Sequence, residues 1–338
     1  MDNVNLKKIA ETLNISISSV SRALRDSHEI GEKTKQKVRE LAEQLNYMPN
    51  PYAGSLRKQR TRNIALVVPE VANNFFAMAI NGIEAVAQEK GYHVLIYLTH
   101  DYLEKEMEIA RHLLNGRVDG IIMSLSGETV STDHLQKLTD KEIPIVFFDR
   151  IIETFSGGTV TTDDYDSGYK ATEHLIQAGC KDIAYLSISK HLYIAQKRMQ
   201  GYKDALQKNK IPLRDELIIQ CSPDNNKNKE LILKLLKSKN RPDGIFASVE
   251  RLAIASYHAC QELKLHIPKK VKIIGFSNLE TAALLNPGLS TITQPAFDMG
   301  KEAATMLFRK LEKRTTINAS EKVEIKSELV ARGSTKAS

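Results

Sequence analysis

The 338-residue sequence predicts an α/β chain: a small three-helix head, helix-turn-helix in plan, followed by a body of doubly wound parallel sheets. Three observations carry this. Residues 1–48 hold three short apolar stripes at helical spacing. Residues 63–338 alternate short β-branched runs with helical stripes. The charge is also uneven. Residues 1–62 carry 12 Lys and Arg against 7 Asp and Glu, a net +5, whereas the remainder carries only +2. A basic head on a nearly neutral body points to a polyanion-binding module. Charge alone fits a solvated surface as well, so the residue pattern has to decide.

Composition excludes several classes. With 42% hydrophobic and 26% charged residues and no low-complexity tract, the chain can form cores. No apolar run approaches the ~18–20 residues a membrane helix needs. The N-terminus is polar, with Lys7 and Lys8, and lacks a segment of signal-peptide type. Cys180, Cys221 and Cys260 are far apart, giving neither a disulfide framework nor metal-ligand spacing. The expectation is a cytoplasmic protein with no membrane partner, no metal and no cofactor.

In the head, Leu6, Ile9, Ala10 and Leu13 recur at helical spacing, and Asn5 is placed to cap them. Asn14-Ile15-Ser16 interrupts the run. Ser16 can cap a second helix whose buried face is Val20, Ala23 and Leu24. A third stripe, Val38, Leu41, Ala42 and Leu45, follows Gly31 and Thr34. Two short helices joined by a tight turn and braced by a third form the helix-turn-helix plan. The second helix would enter the major groove N-terminus first, exposing Ile17, Ser18, Ser21 and Arg22. Arg22 can donate two hydrogen bonds to guanine, and Ile17 can touch a thymine methyl. Three short helices alone are equally compatible with a bundle that never meets DNA.

In the body, strands are expected at Ile64–Val68, Val94–Leu98, Gly120–Met123, Ile145–Phe148, Ile183–Ser187, Gly244–Ala247 and Ile273–Phe276. Helical stripes lie between them, such as Ile80–Lys90, Met107–Asn115, Ala171–Ala178, Arg198–Lys208, Leu231–Leu236 and Leu252–Leu263. This alternation implies parallel sheets covered on both faces. It is too long for one compact sheet, so two lobes are expected. No enzyme signature is present: no G-x-x-x-x-G-K-[ST], no H-E-x-x-H, and GFSNL around Ser277 fails G-x-S-x-G at its last glycine. Asp163, Asp164 and Asp166 do not form an EF-hand loop. A ligand-binding body without catalysis is the better reading.

The words of the sequence go further. VNLKKIAETLNISISSVSRALRD and EIGEKTKQKVRELAEQLNYMPNPYAGSLRKQRT resemble the LacI/GalR family of bacterial transcription regulators. The matching pieces are SSVSRAL, the Gly31–Thr34 start of helix three, and LNYMPN followed by an A-x-x-L hinge. In the body, VDGIIMS, PIVFFDR, DSGYKATEHLIQAGCKDIAYLS, RMQGYKDAL, PDGIFAS, and IIGFSN followed by NPGLSTITQPAFDMGKEAA fall in family order. The resemblance implies a hinge helix over Pro51–Lys58 that forms on operator DNA, with Leu56 wedged into the minor groove. Arg57, Lys58, Arg60 and Arg62 would flank it with salt-sensitive phosphate attraction. It also implies a two-lobed body like a periplasmic binding protein, whose strands cross between lobes near 158–162, 288–292 and 321–325.

The expected domains are therefore a DNA-binding head at 1–48, a hinge at 49–62 and an effector-binding and dimerisation body at 63–338. Lobe one would span about 63–159 and 291–322, and lobe two about 160–289 and 323–338. The expected DNA-contacting residues are Asn5, Ser16, Ile17, Ser18, Ser19, Ser21, Arg22, Arg25, Tyr47, Asn50, Ala53, Leu56 and Arg57. Two departures stand out. Gly54 lies where relatives often carry Arg, and glycine costs ~1 kcal/mol in a helix interior relative to alanine. Arg25 lies where Asn is common and would add a phosphate contact.

Ligands of open α/β sheets sit at the carboxyl ends of the strands. Asp149 and Arg150 end the strand Ile145–Phe148, Ser277 ends Ile273–Phe276, and Glu250 follows Gly244–Ala247. Arg198 opens a helix in the family's R-x-x-G-[YW] pattern. Phe75 and Phe76 follow the first strand and could form an apolar platform. Each has a plainer alternative: a local ion pair for Asp149 and Arg150, a solvated arginine, core phenylalanines. Many sugar-binding relatives carry Asp where Ser277 stands, and Asn then Asp where Val249 and Glu250 stand. Serine and valine supply less bidentate hydrogen bonding, so a neutral pyranose gripped in the usual way is less expected. Arg150 and Arg198 together would suit an anion: a sugar acid, a sugar phosphate or another carboxylate.

The overall expectation is a homodimeric regulator, a repressor in type. It would bind operator DNA and be gated by a sugar or acidic sugar derivative held between the lobes. GSTKAS after Arg332 holds no leucine heptads, which argues against a tail-mediated tetramer. A stand-alone sugar receptor of transport type is the alternative, and the basic head and lack of a signal segment speak against it. An α/β enzyme with an accessory head lacks a catalytic constellation.

Overall fold

The computed structural model describes residues 5–47, 61–155, 157–222, 224–313 and 321–336. It resolves into two compact units, Met1–Arg60 and Thr61–Ser338. The expected hinge helix, with Asn50, Ala53, Gly54, Leu56 and Arg57, lies outside the described residues.

The head consists of α1 (Leu6–Leu13), α2 (Ile17–Leu24) and α3 (Glu32–Gln44). Asn5 caps α1 by accepting a hydrogen bond from Lys8 N at 3.0 Å. Asn14 ends it in the left-handed conformation, at φ 52°, which asparagine tolerates better than most residues. Ser16 caps α2 by accepting from Ser19 N at 3.1 Å. Ile9, Ala10, Val20, Ala23, Val38 and Ala42 form the buried centre, with Leu6, Leu13, Leu24, Leu41 and Leu45 at its rim. The helical stripes therefore converge on one small core.

Among the described residues, the body holds two six-stranded sheets. Sheet one contains β1 (Asn63–Val68), β2 (His93–Leu98), β3 (Gly120–Met123), β4 (Ile145–Phe148), β5 (Gly158–Thr162) and β11 (Lys322–Ile325), in the order β11-β5-β4-β3-β1-β2. Every pairing in it is parallel. Its helices are α4 (Asn74–Glu89), α5 (Leu103–Leu113), α6 (Gln136–Asp140) and α11 (Ala296–Lys313). Sheet two contains β6 (Ile183–Ser187), β7 (Ile218–Gln220), β8 (Gly244–Ala247), β9 (Lys272–Phe276), β10 (Ser290–Thr293) and β12 (Glu328–Val330), in the order β12-β10-β9-β8-β6-β7. Only β12 runs antiparallel, against β10. Its helices are α7 (Asp164–Gln177), α8 (Tyr193–Lys208), α9 (Asn225–Lys237) and α10 (Glu250–Glu262). The two sheets share one winding, and each reverses direction beside its first strand, at β1/β3 and at β6/β8. Such reversal points open crevices at the carboxyl ends of the strands.

The expected lobe boundaries shift by a few residues. β5 and β11 pair with each other over their full lengths, so both stay in sheet one. A strand paired end to end cannot change lobe midway. The chain therefore crosses at Asp163, near Gln294, and near Ser327. These crossings are tied together. Ser327 N donates to Asp163 Oδ1 at 2.7 Å, and Gln294 Nε2 donates to Thr162 Oγ1 at 3.3 Å.

Each lobe also contains one helix pair in backbone contact through reciprocal glycines. In lobe one Gly82 of α4 faces the Phe297 carbonyl and Gly300 of α11 the Ala79 carbonyl, and in lobe two Gly168 of α7 and Gly201 of α8 meet. A Cβ on Gly201 would overlap the Tyr165 carbonyl oxygen, and one on Gly168 the Arg198 carbonyl oxygen. These contacts seat α8, which carries Arg198. Overpacking of this kind costs about 1–3 kcal/mol. Gly201→Ala is therefore expected to lower the urea midpoint of the body by a corresponding amount, and an unchanged midpoint would contradict this seating.

Candidate functional site

Among the described residues, a polar crevice lies between the lobes, where strand ends from both sheets meet. Its cavity volume is about 50 Å³, narrower than the ~300–1,000 Å³ of open small-molecule sites, so the lobes stand close together here. Phe75, Phe76, Asp149, Arg150, Arg198, Glu250 and Ser277, the cleft candidates from the sequence, line it. Asn73, Ile194, Val249, Phe276, Asn278 and Gln294 complete the wall.

Lobe one contributes α4 and the end of β4. Asn73 caps α4 through its Oδ1, which accepts from Phe75 N at 3.0 Å, so the helix begins at the cleft. Phe75 and Phe76 serve two roles at once. They pack into the lobe-one core against Phe148, with centroids 6.5 and 6.2 Å away, and both line the cleft. Asp149 adopts φ 59°, a conformation uncommon for a side chain other than Asn, Asp or Gly. Burial pushes its carboxyl above the ordinary range, and the Arg150 and Arg198 guanidiniums pull it part of the way back. The expected local pair of Asp149 and Arg150 is weak, with Nε and Oδ2 3.9 Å apart. The principal partner of Arg150 is Asp101, which sequence reading missed.

Lobe two contributes Arg198, whose side chain is only 2% exposed. Its Nε donates to Asp164 Oδ1 at 2.7 Å and its Nη1 to the Ser248 carbonyl at 2.6 Å. The guanidinium stacks over Phe276, 3.5 Å from the ring centroid. Among the described residues, Arg198 Nη2 and Asp164 Oδ2 are buried and have no hydrogen-bond partner, which departs from the usual pairing of buried polar groups. Glu250 spans the crevice. It accepts from Ser277 Oγ at 2.6 Å within its own lobe and from Asn74 Nδ2 at 2.7 Å across the gap. Asn278 Nδ2 donates to the Gln294 carbonyl at 2.6 Å, which fixes one crossing segment.

The two guanidiniums expected to attract an anion are therefore each compensated by a carboxylate, Asp101 or Asp164, outside the lining. The cleft offers mixed acceptors and donors, a pattern suited to hydroxyl groups. The signal for the missed carboxylates was absent from local sequence, since they lie 49 and 34 residues from their arginines.

On the head, Ile17 stays 48% exposed at the start of α2. Ser16, Ser18 and Arg25 are exposed, and Ser19 and Ser21 are half-buried. Ser16 Oγ also bonds the hydroxyls of Ser18 and Ser19, at 2.8 and 2.9 Å. Arg22 pairs with Glu29 at 2.8 Å. Tyr47 packs against the head core, and Asn5 is occupied as a cap. Arg62, expected among the phosphate-facing residues, is docked on lobe one instead. It lies over the Tyr92 ring at 5.2 Å and donates to the Lys90 carbonyl at 3.2 Å.

Burial lifts the Asp164 carboxyl from 3.8 to about 6, against the pull of Arg198. Between those values the folded chain holds a proton that the unfolded chain has released. The contribution of this group to stability therefore falls as pH rises through that window. Carbon-13 NMR is expected to find Asp164 titrating near 6, and a midpoint near 4 would contradict its desolvation.

Comparison with known proteins agrees with this anatomy. Residues 61–332 match the family described as periplasmic binding proteins and sugar binding domain of LacI family. Residues 5–50 match the bacterial regulatory proteins of the lacI family. The chain is 32% identical to the HTH-type transcriptional regulator DegA of Bacillus subtilis (strain 168), over 97% of this chain and 96% of that one. The fold matches the lac repressor dimer bound to operator and the anti-inducer ONPF, with TM-score 0.85 and 20% identity over 99% and 100% of the two chains. A LacI family transcriptional regulator from Enterococcus faecium with bound ribose matches at TM-score 0.70 and 26% identity, over 80% and 98%. Among the described residues, no helix is long and apolar enough to cross a membrane. The family descriptions cover both the head and the two-lobed body, and the chain belongs to the LacI family of bacterial regulatory proteins.

Proposed function

We propose that this chain is a sequence-specific, DNA-binding transcriptional repressor, gated by a small polyhydroxylated effector in the inter-lobe cleft. The observation that carries the proposal is Glu250, bonded to Ser277 on one lobe and Asn74 on the other. A ligand whose hydroxyls compete for these groups changes the relative energy of cleft geometries, which is all an effector needs to do. A sugar fits this chemistry, with carboxylates accepting from hydroxyls and guanidiniums donating to hydroxyl oxygens. Ribose in the Enterococcus faecium relative supports the class. The compensated charges of Arg150 and Arg198 favour a neutral sugar over the sugar acid or phosphate that the two arginines alone suggest.

In this reading two copies pair through their bodies and present two heads to a pseudo-palindromic operator in the cytoplasm, at the nucleoid. The exposed N-terminal face of α2 reads bases, and Arg22 exchanges Glu29 for guanine. Arg25 and the basic hinge supply phosphate contacts. Closure at the cleft moves the lobe-one ends from which the hinges depart. A coupling of about 1–3 kcal/mol changes operator affinity ~5–150-fold. The basic head distinguishes this reading from a receptor of transport type.

A gel shift with genomic fragments, with and without small-molecule extract, tests the proposal. The expected result is sequence-selective binding that weakens steeply with salt and responds to extract. Arg22→Ala should cost about 1–3 kcal/mol and relax selectivity. The absence of selective, salt-sensitive binding in either condition would overturn the reading.

A further inference from the structure

The carboxylate behind Arg150 is not part of the cleft lining, yet it fixes the charge that the cleft presents. The segment after β2 is tied to the end of β1: Thr99 N donates to the Val68 carbonyl at 3.0 Å, and His100 N to the Pro69 carbonyl at 3.0 Å. His100 and Asp101 both adopt left-handed backbone, at φ 52° and 66°. Two consecutive non-glycine residues in that region cost conformational energy that the surroundings must offset. What they gain is placement of the Asp101 carboxylate, whose Oδ1 accepts from Arg150 Nη1 and, at 3.1 Å, from Gly127 N. Both side chains of the pair are largely shielded, 7% exposed for Arg150 and 14% for Asp101. Arg150 is also held by the Leu125 carbonyl at 3.5 Å and lies 5.8 Å from the centroid of the Phe76 ring. Asp149 Oδ2 also stands 3.9 Å from its Nε.

We infer that Asp101 is a specificity-determining residue, which neutralises and aims Arg150 so that the cleft rejects small free anions while keeping a donor for hydroxyls. The inference rests on the reading of the cleft as the effector site. An uncompensated guanidinium in a water-poor crevice is a strong anion receptor. Inorganic phosphate and carboxylate metabolites would then compete with any neutral effector. A carboxylate placed outside the lining suppresses that competition without touching the effector, which is selectivity by repulsion of the wrong ligand. A purely structural brace between residues 101 and 127 would need only an acceptor for Gly127 N, and a neutral side chain supplies one.

The test uses the full-length protein and inorganic phosphate as the probe, read by calorimetry at constant ionic strength. Asp101→Asn keeps an acceptor for Gly127 N and removes the charge; Asp101→Ser is the second variant should the first fold poorly. Either variant is expected to gain Arg150-dependent phosphate binding at least on the order of tenfold tighter than wild type. The gain should vanish in the Asp101→Asn/Arg150→Gln double variant. Phosphate bound by the head is common to all forms and cancels in the comparison. No gain in a folded variant, a gain that survives Arg150→Gln, or equal Arg150-dependent binding in wild type would overturn the inference. These outcomes are independent of operator binding, so they separate from failure of the regulator reading itself.

Discussion

The architecture of the site depends on burying one guanidinium. Arg198 is 2% exposed in the wall of lobe two, and an uncompensated buried charge costs several kcal/mol. The local structure of that lobe offsets this cost. Asp164 stands at the first turn of α7 and meets Nε, the Ser248 carbonyl at the end of β8 meets Nη1, and Phe276 at the end of β9 supplies a π face. The glycine contact between α7 and α8 brings the two charged residues within reach. Among the described residues, Nη2 and Asp164 Oδ2 have no protein partner, so the buried network is only partly satisfied.

Lobe one solves the same problem differently. Arg150 also sits at a strand end and also has a carboxylate behind it, but Asp101 reaches it from a left-handed turn instead of a helix. The cleft is thus walled by two guanidiniums and two carboxylates, Asp149 and Glu250, with amide groups between them. Opposed charges at short range hold rotamers and let a ligand read them by hydrogen bonding, not by net charge. Glu250 bonds both lobes, and Asp163, Thr162, Gln294 and Ser327 tie the three crossing segments together. Motion of one lobe against the other must therefore work against a small, defined set of contacts, and this is what lets a ligand in the cleft act at a distance.

Much of this was legible in the sequence. The seven expected apolar strands and the three head helices follow from periodicity and caps, because burial on both faces leaves unbroken runs such as Ile64–Val68. Strand-end position brought Asp149, Arg150, Glu250 and Ser277 to one cleft, since the winding sends every such end to the same side. The remainder was hidden for physical reasons. α4 begins at Asn74, not Ile80, because Phe75 and Phe76 are half core and half cleft, and local pattern cannot divide a side chain between the two. The Thr- and Ser-rich strands β5 and β10, and the short β7, carry weak apolar signals. Gln294 joins the site only because the chain changes lobe there. Asp101 and Asp164 act through partners far away in sequence, and the charge of an isolated arginine gives no hint that it is already compensated.

The lobe-two wall of the site depends on the Arg198–Asp164 pair, and a double-mutant cycle by urea unfolding tests this most directly. Arg198→Met and Asp164→Leu each leave the other charge buried alone, so each is expected to cost about 3–5 kcal/mol. The double variant removes both charges and is expected to be at least as stable as either single variant, a strongly non-additive result. Additive losses, with the double variant the least stable of the three, would show that the two residues do not depend on each other and would contradict the account.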